Sequence, residues 1–185
     1  MVKRWHNACG EEGWVAVGHI KRLLAAARGK GLPVVYTTGE RRPDGLDSGG
    51  WSRKNRRARE DYVLEEIGNE IVPDVAPMPE DIVIRKQKPS AFFGTPLLSY
   101  LIDFKVDTLL VTGVSTSGCV RATVIDGFSL NYMVAVVEEG CYDRSEASHA
   151  INLCDMDAKY ADVVGVDETI AYIERLPDGL FPRGR

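Results

Sequence analysis

Short apolar runs alternating with amphipathic helical segments predict a three-layer α/β/α protein with a mostly parallel, Rossmann-like sheet. Two further features agree. The strand segments are nearly continuous apolar runs, as expected of strands covered on both faces, and most lead through a loop into a helix. No internal repeat, low-complexity tract or linker interrupts the 185 residues, so one domain spanning 1–185 is expected.

The elements follow in order. Ile20, Leu23, Leu24 and Ala27 share one helical face, and Gly29 and Gly31 end that helix. Residues 32–38 read as a buried strand, followed by a polar loop to about residue 59 with Pro43, Gly45, Gly49 and Gly50 as turn residues. Residues 81–85 form a second strand. Thr95 caps a helix with Pro96 in its first position and Leu97, Leu98, Leu101 and Ile102 on its inner face. A third strand at 106–112 leads to a helix over about 118–130, with Val120, Val124 and Phe128 inward. After a fourth strand at 133–138, Ser145 opens a helix with Ala147, Ala150, Ile151 and Cys154 on one side. A short fifth strand at 161–166 precedes a last helix, capped by Asp167 and packed through Ile170 and Ile173.

Composition removes several classes of function. Hydrophobic residues at 44% and charged ones at 27% match a globular chain, not a disordered one. The net charge of −4 argues against a broad nucleic-acid surface. The basic run Arg53, Lys54, Arg56, Arg57 and Arg59 after Trp51 reads instead as a solvated loop or an inter-subunit salt-bridge segment. Whether Trp51 or Lys54 reaches a neighbouring subunit's pocket stays open. No apolar run approaches the roughly 20 residues of a bilayer span, and the first residues lead into no signal-peptide core, so a cytoplasmic protein with no membrane partner is expected. Cysteines 9, 119, 141 and 154 include no Cys-x-x-Cys pair, and His6, His19 and His149 are scattered. Neither a zinc site nor a disulfide framework is expected.

Ligands of such sheets bind beyond the carboxyl ends of the strands. There the third strand runs into Gly113-Val114-Ser115-Thr116-Ser117-Gly118-Cys119, which puts Cys119 in the first turn of a helix. Unpaired N–H groups and the helix dipole favour anionic sulfur at that place. The small residues let the backbone approach a ligand. A packed cysteine in an ordinary Gly/Ser-rich turn is the competing explanation. The loop after the second strand contributes Lys86 and Lys88 beside Arg85, and a cation there would face the same crevice and favour the thiolate.

Lys86 four residues ahead of Ser90-Ala91-Phe92-Phe93-Gly94-Thr95, followed by 111–119 and by Val136-Val137-Glu138-Glu139-Gly140, Asp143-Arg144 and His149-Ala150-Ile151-Asn152-Leu153, resembles the isochorismatase-like cysteine hydrolases over about residues 14–170. Within that family the likeness is nearest the N-carbamoylsarcosine and maleamate amidohydrolase branch. The resemblance implies an Asp–Lys–Cys triad in which Cys119 attacks an amide carbonyl to form a thioester and Lys86 is the lysine. It also implies a cis peptide at Val114–Ser115, with the N–H groups of Ser115 and Cys119 forming an oxyanion hole. Arg144 would hold the carboxylate of a small amide substrate. The Asp/His metal site of the nicotinamidase branch has no matching histidines here, so neither metal nor cofactor is expected. A homodimer or homotetramer is implied. His149 reads as a structural helix residue, Cys154 as an inner-face residue and Cys141 as part of a loop.

One departure stands out. Family members open with a central apolar strand that ends in the triad Asp, whereas the first aspartate here is Asp44. The strand would lie between the strands at 33–38 and 106–112. The expectation is that residues ahead of Met1 supply it, with another segment or chain as the alternative. A catalytically impaired relative that binds a small ligand or serves in assembly is therefore the second functional expectation.

Overall fold

The computed structural model describes residues 9–42, 44–47, 49–50 and 68–181; Trp51, Lys54 and the rest of the basic run lie outside the described residues. The chain forms α1 (Glu12–Gly29), β1 (Val35–Gly39), β2 (Ile82–Lys86), α2 (Leu97–Asp103), β3 (Thr108–Val114), α3 (Arg121–Ser129), β4 (Met133–Tyr142), α4 (Glu146–Asp157), β5 (Asp162–Val164) and α5 (Val166–Arg175). A π-helical turn, Thr116–Val120, joins β3 to α3.

All the described strand pairs are parallel: β1 with β2, β3 with β4, and β4 with β5. Alternation along β4 builds the layers, because successive side chains of a strand point to opposite faces. Val134 and Val136 pack with Val120 and Val124 and with Leu153 and Met156 of α4. Val137 points the other way, to Leu23 of α1 and Val166 of α5. The sheet is thus sandwiched between α3–α4 and α1–α5, as the apolar runs predict.

Among the described residues the sheet comes in two pieces, β1–β2 and β3–β4–β5. The break separates the piece that holds β1 from the piece that holds β3, the two strands between which the resemblance implies a further one. The pieces nevertheless share packing, since Val35 of β1 and Leu109 of β3 both lie against Ile84, Ala91, Leu97 and Leu101. Leu110 of β3, the edge strand of its piece, stays 38% exposed.

Several local expectations change. Helix α4 does start after Ser145, but Ile151 is 63% exposed and Cys154 is exposed as well, while Leu153 and Met156 are buried. Its inward side also presents His149 and Asn152, which hydrogen-bond to Thr116 and Arg121, so polar contacts helped to set the rotation of the helix. Phe128 is 48% exposed on the last turn of α3, edge-on to Tyr160. Cys141 belongs to a strand rather than a loop, because β4 continues to Tyr142. At α5 the cap residue is Gly165, and the Glu139 carboxylate accepts from the Val166 N–H at 2.9 Å in the place predicted for Asp167. The α1 stop is as expected, with Gly31 at φ +69°.

Truncating the fully buried Met156 to Ala should cost about 2–5 kcal/mol in urea unfolding, whereas Cys154→Ala should stay within about 0.5 kcal/mol. The reverse order would contradict the observed rotation of α4.

Candidate active site

The site starts from two strand ends. Lys86 is the last residue of β2, and its carbonyl accepts from Glu40 N–H at 3.1 Å, which carries the β1–β2 pairing to the edge of the sheet. β3 ends at Val114, the Val114–Ser115 peptide is cis, and the π-helical turn follows at once. The helical segment therefore begins earlier than the sequence indicates, and in a wider turn. Both Gly118 N–H and Val120 N–H donate to the Ser115 carbonyl, at 2.9 and 3.2 Å. A Cβ at Gly118 would stand 2.5 Å from Ser115 Oγ, so a larger residue there would have to turn that hydroxyl aside.

These two ends bring Lys86 Nζ to 3.4 Å from Cys119 Sγ. The ammonium also donates to the carbonyls of Lys88 and Pro89, at 2.9 and 2.8 Å. Three protons thus meet three acceptors, and one of them is the sulfur. Of the three neighbouring cations, Arg85 is exposed and Lys88 contributes its carbonyl, so Lys86 is the one that reaches the thiol.

The turn carrying Cys119 is held on several sides. Thr116 is fully buried, and its hydroxyl bonds His149 Nδ1 at 2.8 Å. Thr123 Oγ1 donates to the Cys119 carbonyl at 2.8 Å and accepts from Ala91 N–H at 3.0 Å, linking this turn to the loop after β2. Asp143, just beyond β4, accepts from Ser117 N–H at 2.7 Å. Arg144 follows, with Nη1 3.0 Å from Asp143 Oδ1 and 3.5 Å from Ser117 Oγ. Ser115, Cys119, Lys86 and Arg144 accordingly converge on one edge of the sheet.

Sequence reasoning did not single out Thr123, and it quoted Asp143 within the family motif without giving it a role. The small-residue loop ahead of α3 pointed to the neighbourhood, but which side chains tie it down depends on how the loops meet. Cys9 was missed as well. It lines an open pocket of about 250 Å³ with Gly13, Trp14, Val114 and Tyr142. Burial and then the charge of Asp143 push its thiol up to about 11, against an opposing pull from Arg144. Burial sends Cys141 further, to about 12. For Asp143 burial works upward, but the hydrogen bonds from Ser117 and Arg144, with the arginine's charge, outweigh it and hold the carboxyl below its ordinary value. Among the described residues no group of three or more His, Cys, Asp or Glu side chains could hold a metal ion. No described helix is long and apolar enough to cross a membrane.

A parallel α/β/α sheet with a cysteine–lysine contact at its carboxyl edge defines the class. Residues 4–168 match the isochorismatase domain model, and the chain belongs to that family. It is 37% identical over 162 residues to the maleamate amidohydrolase of Pseudomonas putida, covering 87% of this chain and 76% of that protein. It is 34% identical over 166 residues to the N-carbamoylsarcosine amidase of an Arthrobacter species, covering 87% of this chain but 62% of that protein. The chain thus spans less than two thirds of the Arthrobacter enzyme. Among solved structures, an isochorismatase family protein of Desulfovibrio vulgaris superposes with a TM-score of 0.78 at 31% identity, covering 91% of this chain and 89% of the other.

Two outcomes follow from this geometry. Lys86→Met should slow iodoacetamide alkylation of Cys119 at neutral pH about tenfold or more, while Cys141 stays unlabelled in the folded protein of either form. Because the Asp143 carboxyl is depressed on folding, the stability it contributes is complete above its unfolded value of about 3.9 and is lost as pH falls through the lower folded value. The unfolding free-energy gap between the wild type and Asp143→Asn should therefore be level from about pH 8 to 5 and close below about pH 4.

Proposed function

We propose that the protein is a cysteine amidohydrolase cleaving a C–N bond of a small, carboxylate-bearing amide of the N-carbamoyl amino acid or maleamate type. The observation that carries this reading is the 3.4 Å contact between Lys86 Nζ and Cys119 Sγ at the head of a helical segment. That contact sets a cation and the first turn of a helical segment beside the sulfur that lies at the carboxyl edge of the sheet between β2 and β3.

Cys119 Sγ attacks the carbonyl carbon, and the carbonyl π pair moves onto oxygen. Ser115 and Cys119 N–H groups receive that oxyanion, a contribution of about 2.7–4 kcal/mol per donor in comparable sites. Collapse breaks the C–N bond, ammonia or an amine leaves carrying the proton that the Cys119 thiol has given up, and Cys119 is left as a thioester. Water then adds to the thioester, releasing the acid and restoring the thiol. Arg144 anchors the carboxylate of the substrate through its planar fork. No metal or cofactor takes part. We further propose a cytoplasmic homodimer or homotetramer without nucleic-acid or membrane partners.

The reading of a non-catalytic relative, binding a small carboxylate or serving in assembly, is favoured by one observation. Among the described residues, Lys86 and Cys119 hydrogen-bond to no carboxylate, so the acid of the implied triad has no counterpart there.

Ammonia release from a panel of N-carbamoyl amino acids and maleamate should be measurable, Cys119→Ala should abolish it, and acid quenching should trap on Cys119 an adduct with the mass of the acyl part that remains after the ammonia or amine has left. Carboxylate binding with no turnover of any amide would select the second reading.

A further inference from the structure

Asp143 is a buried anion with both of its oxygens hydrogen-bonded. Its side chain has no exposed surface, while that of Arg144 is 45% exposed. Oδ2 accepts from Ser117 N–H at 2.7 Å; Oδ1 accepts from Arg144 N–H at 2.8 Å and from Arg144 Nη1 at 3.0 Å. One carboxylate therefore grips the turn two residues before Cys119 and, with its other oxygen, the guanidinium. A guanidinium carries five N–H donors, so this pairing leaves others free on the exposed side for a second carboxylate.

We infer that Asp143 is a positioning residue that fixes the distance between the carboxylate anchor Arg144 and the sulfur of Cys119. The inference rests on the reading of Arg144 as that anchor. Simple electrostatics makes the opposite forecast. An anion beside an arginine weakens its attraction for a second anion, so removing the Asp143 charge should improve carboxylate selection. Positioning requires that removal to impair it.

Paired alkylating reagents separate the two without relying on amide turnover. Iodoacetate carries a carboxylate and iodoacetamide a neutral amide; each transfers its carbon to sulfur with loss of iodide. The ratio of their alkylation rates at Cys119, followed by peptide mass spectrometry, reports how well a carboxylate is held near the thiol. Wild type should favour iodoacetate relative to free cysteine. In Asp143→Asn the ratio should fall about fivefold, a size typical of coupling between contacting residues. Arg144→Gln should lower it similarly, and the double variant should fall no further. Asp143→Glu keeps the charge but displaces it by one methylene, and should also lower the ratio.

An unchanged or increased ratio in Asp143→Asn, or a wild-type ratio in Asp143→Glu, would overturn the proposal. No iodoacetate preference in wild type would remove the Arg144 anchor and this inference together. Preference retained in wild type and lost in the Asp143 variants, without ammonia release from any amide, would sink the amidase reading alone.

Discussion

The contact between the Lys86 ammonium and the Cys119 sulfur organises the candidate site, and much of the architecture around it bears on that one distance. An ammonium near a thiol is useful only if it does not wander, and lysine is a long, flexible side chain. Here the carbonyls of Lys88 and Pro89 take two of its protons and aim the third. Those carbonyls belong to the loop leaving β2, whose end is aligned by pairing with β1. The position of the cation is therefore a consequence of the sheet edge.

The sulfur needs equal restraint from a different part of the chain. Its turn is wide, contains small residues and would be soft alone. Thr116 is locked to His149 on α4, Thr123 reaches from α3 to the Cys119 carbonyl and the loop after β2, and Asp143 holds Ser117 from the end of β4. Each restraint comes from a separate element, and each is a short polar link at the rim of an apolar sandwich. The core beneath them, Val120, Val124, Val136 and Met156, fixes the elements relative to one another and so sets the span that each link must cover.

Legibility in the sequence tracked the kind of interaction involved. The parallel sheet and its two covering layers could be read because buried strands demand continuous apolar runs, as residues 108–112 and 133–137 illustrate. The start of α2 was legible to within a residue: Thr95 accepts from Leu97 N–H, but Pro96 rather than Thr95 is the cap residue of the helix. The rotation of α4 was not legible. Ile151 and Cys154 are as apolar as Leu153 and Met156, and only the partners of His149 and Asn152 reveal which side faces in. Asp143 stood in the family motif but had no assigned role for a similar reason, since its bonds to Ser117 and Arg144 exist only where the two loops meet.

By itself, the sequence determined the layered architecture, the loops that form the candidate site and the family, because periodicity and motif spacing are properties of neighbouring residues. Tertiary structure decided which cation meets the sulfur, which face of α4 is buried, and that the sheet divides into β1–β2 and β3–β4–β5 among the described residues. Those outcomes depend on distances between segments far apart along the chain. A hydrogen bond or ion pair acts over a few ångströms, and only folding brings such segments within that range.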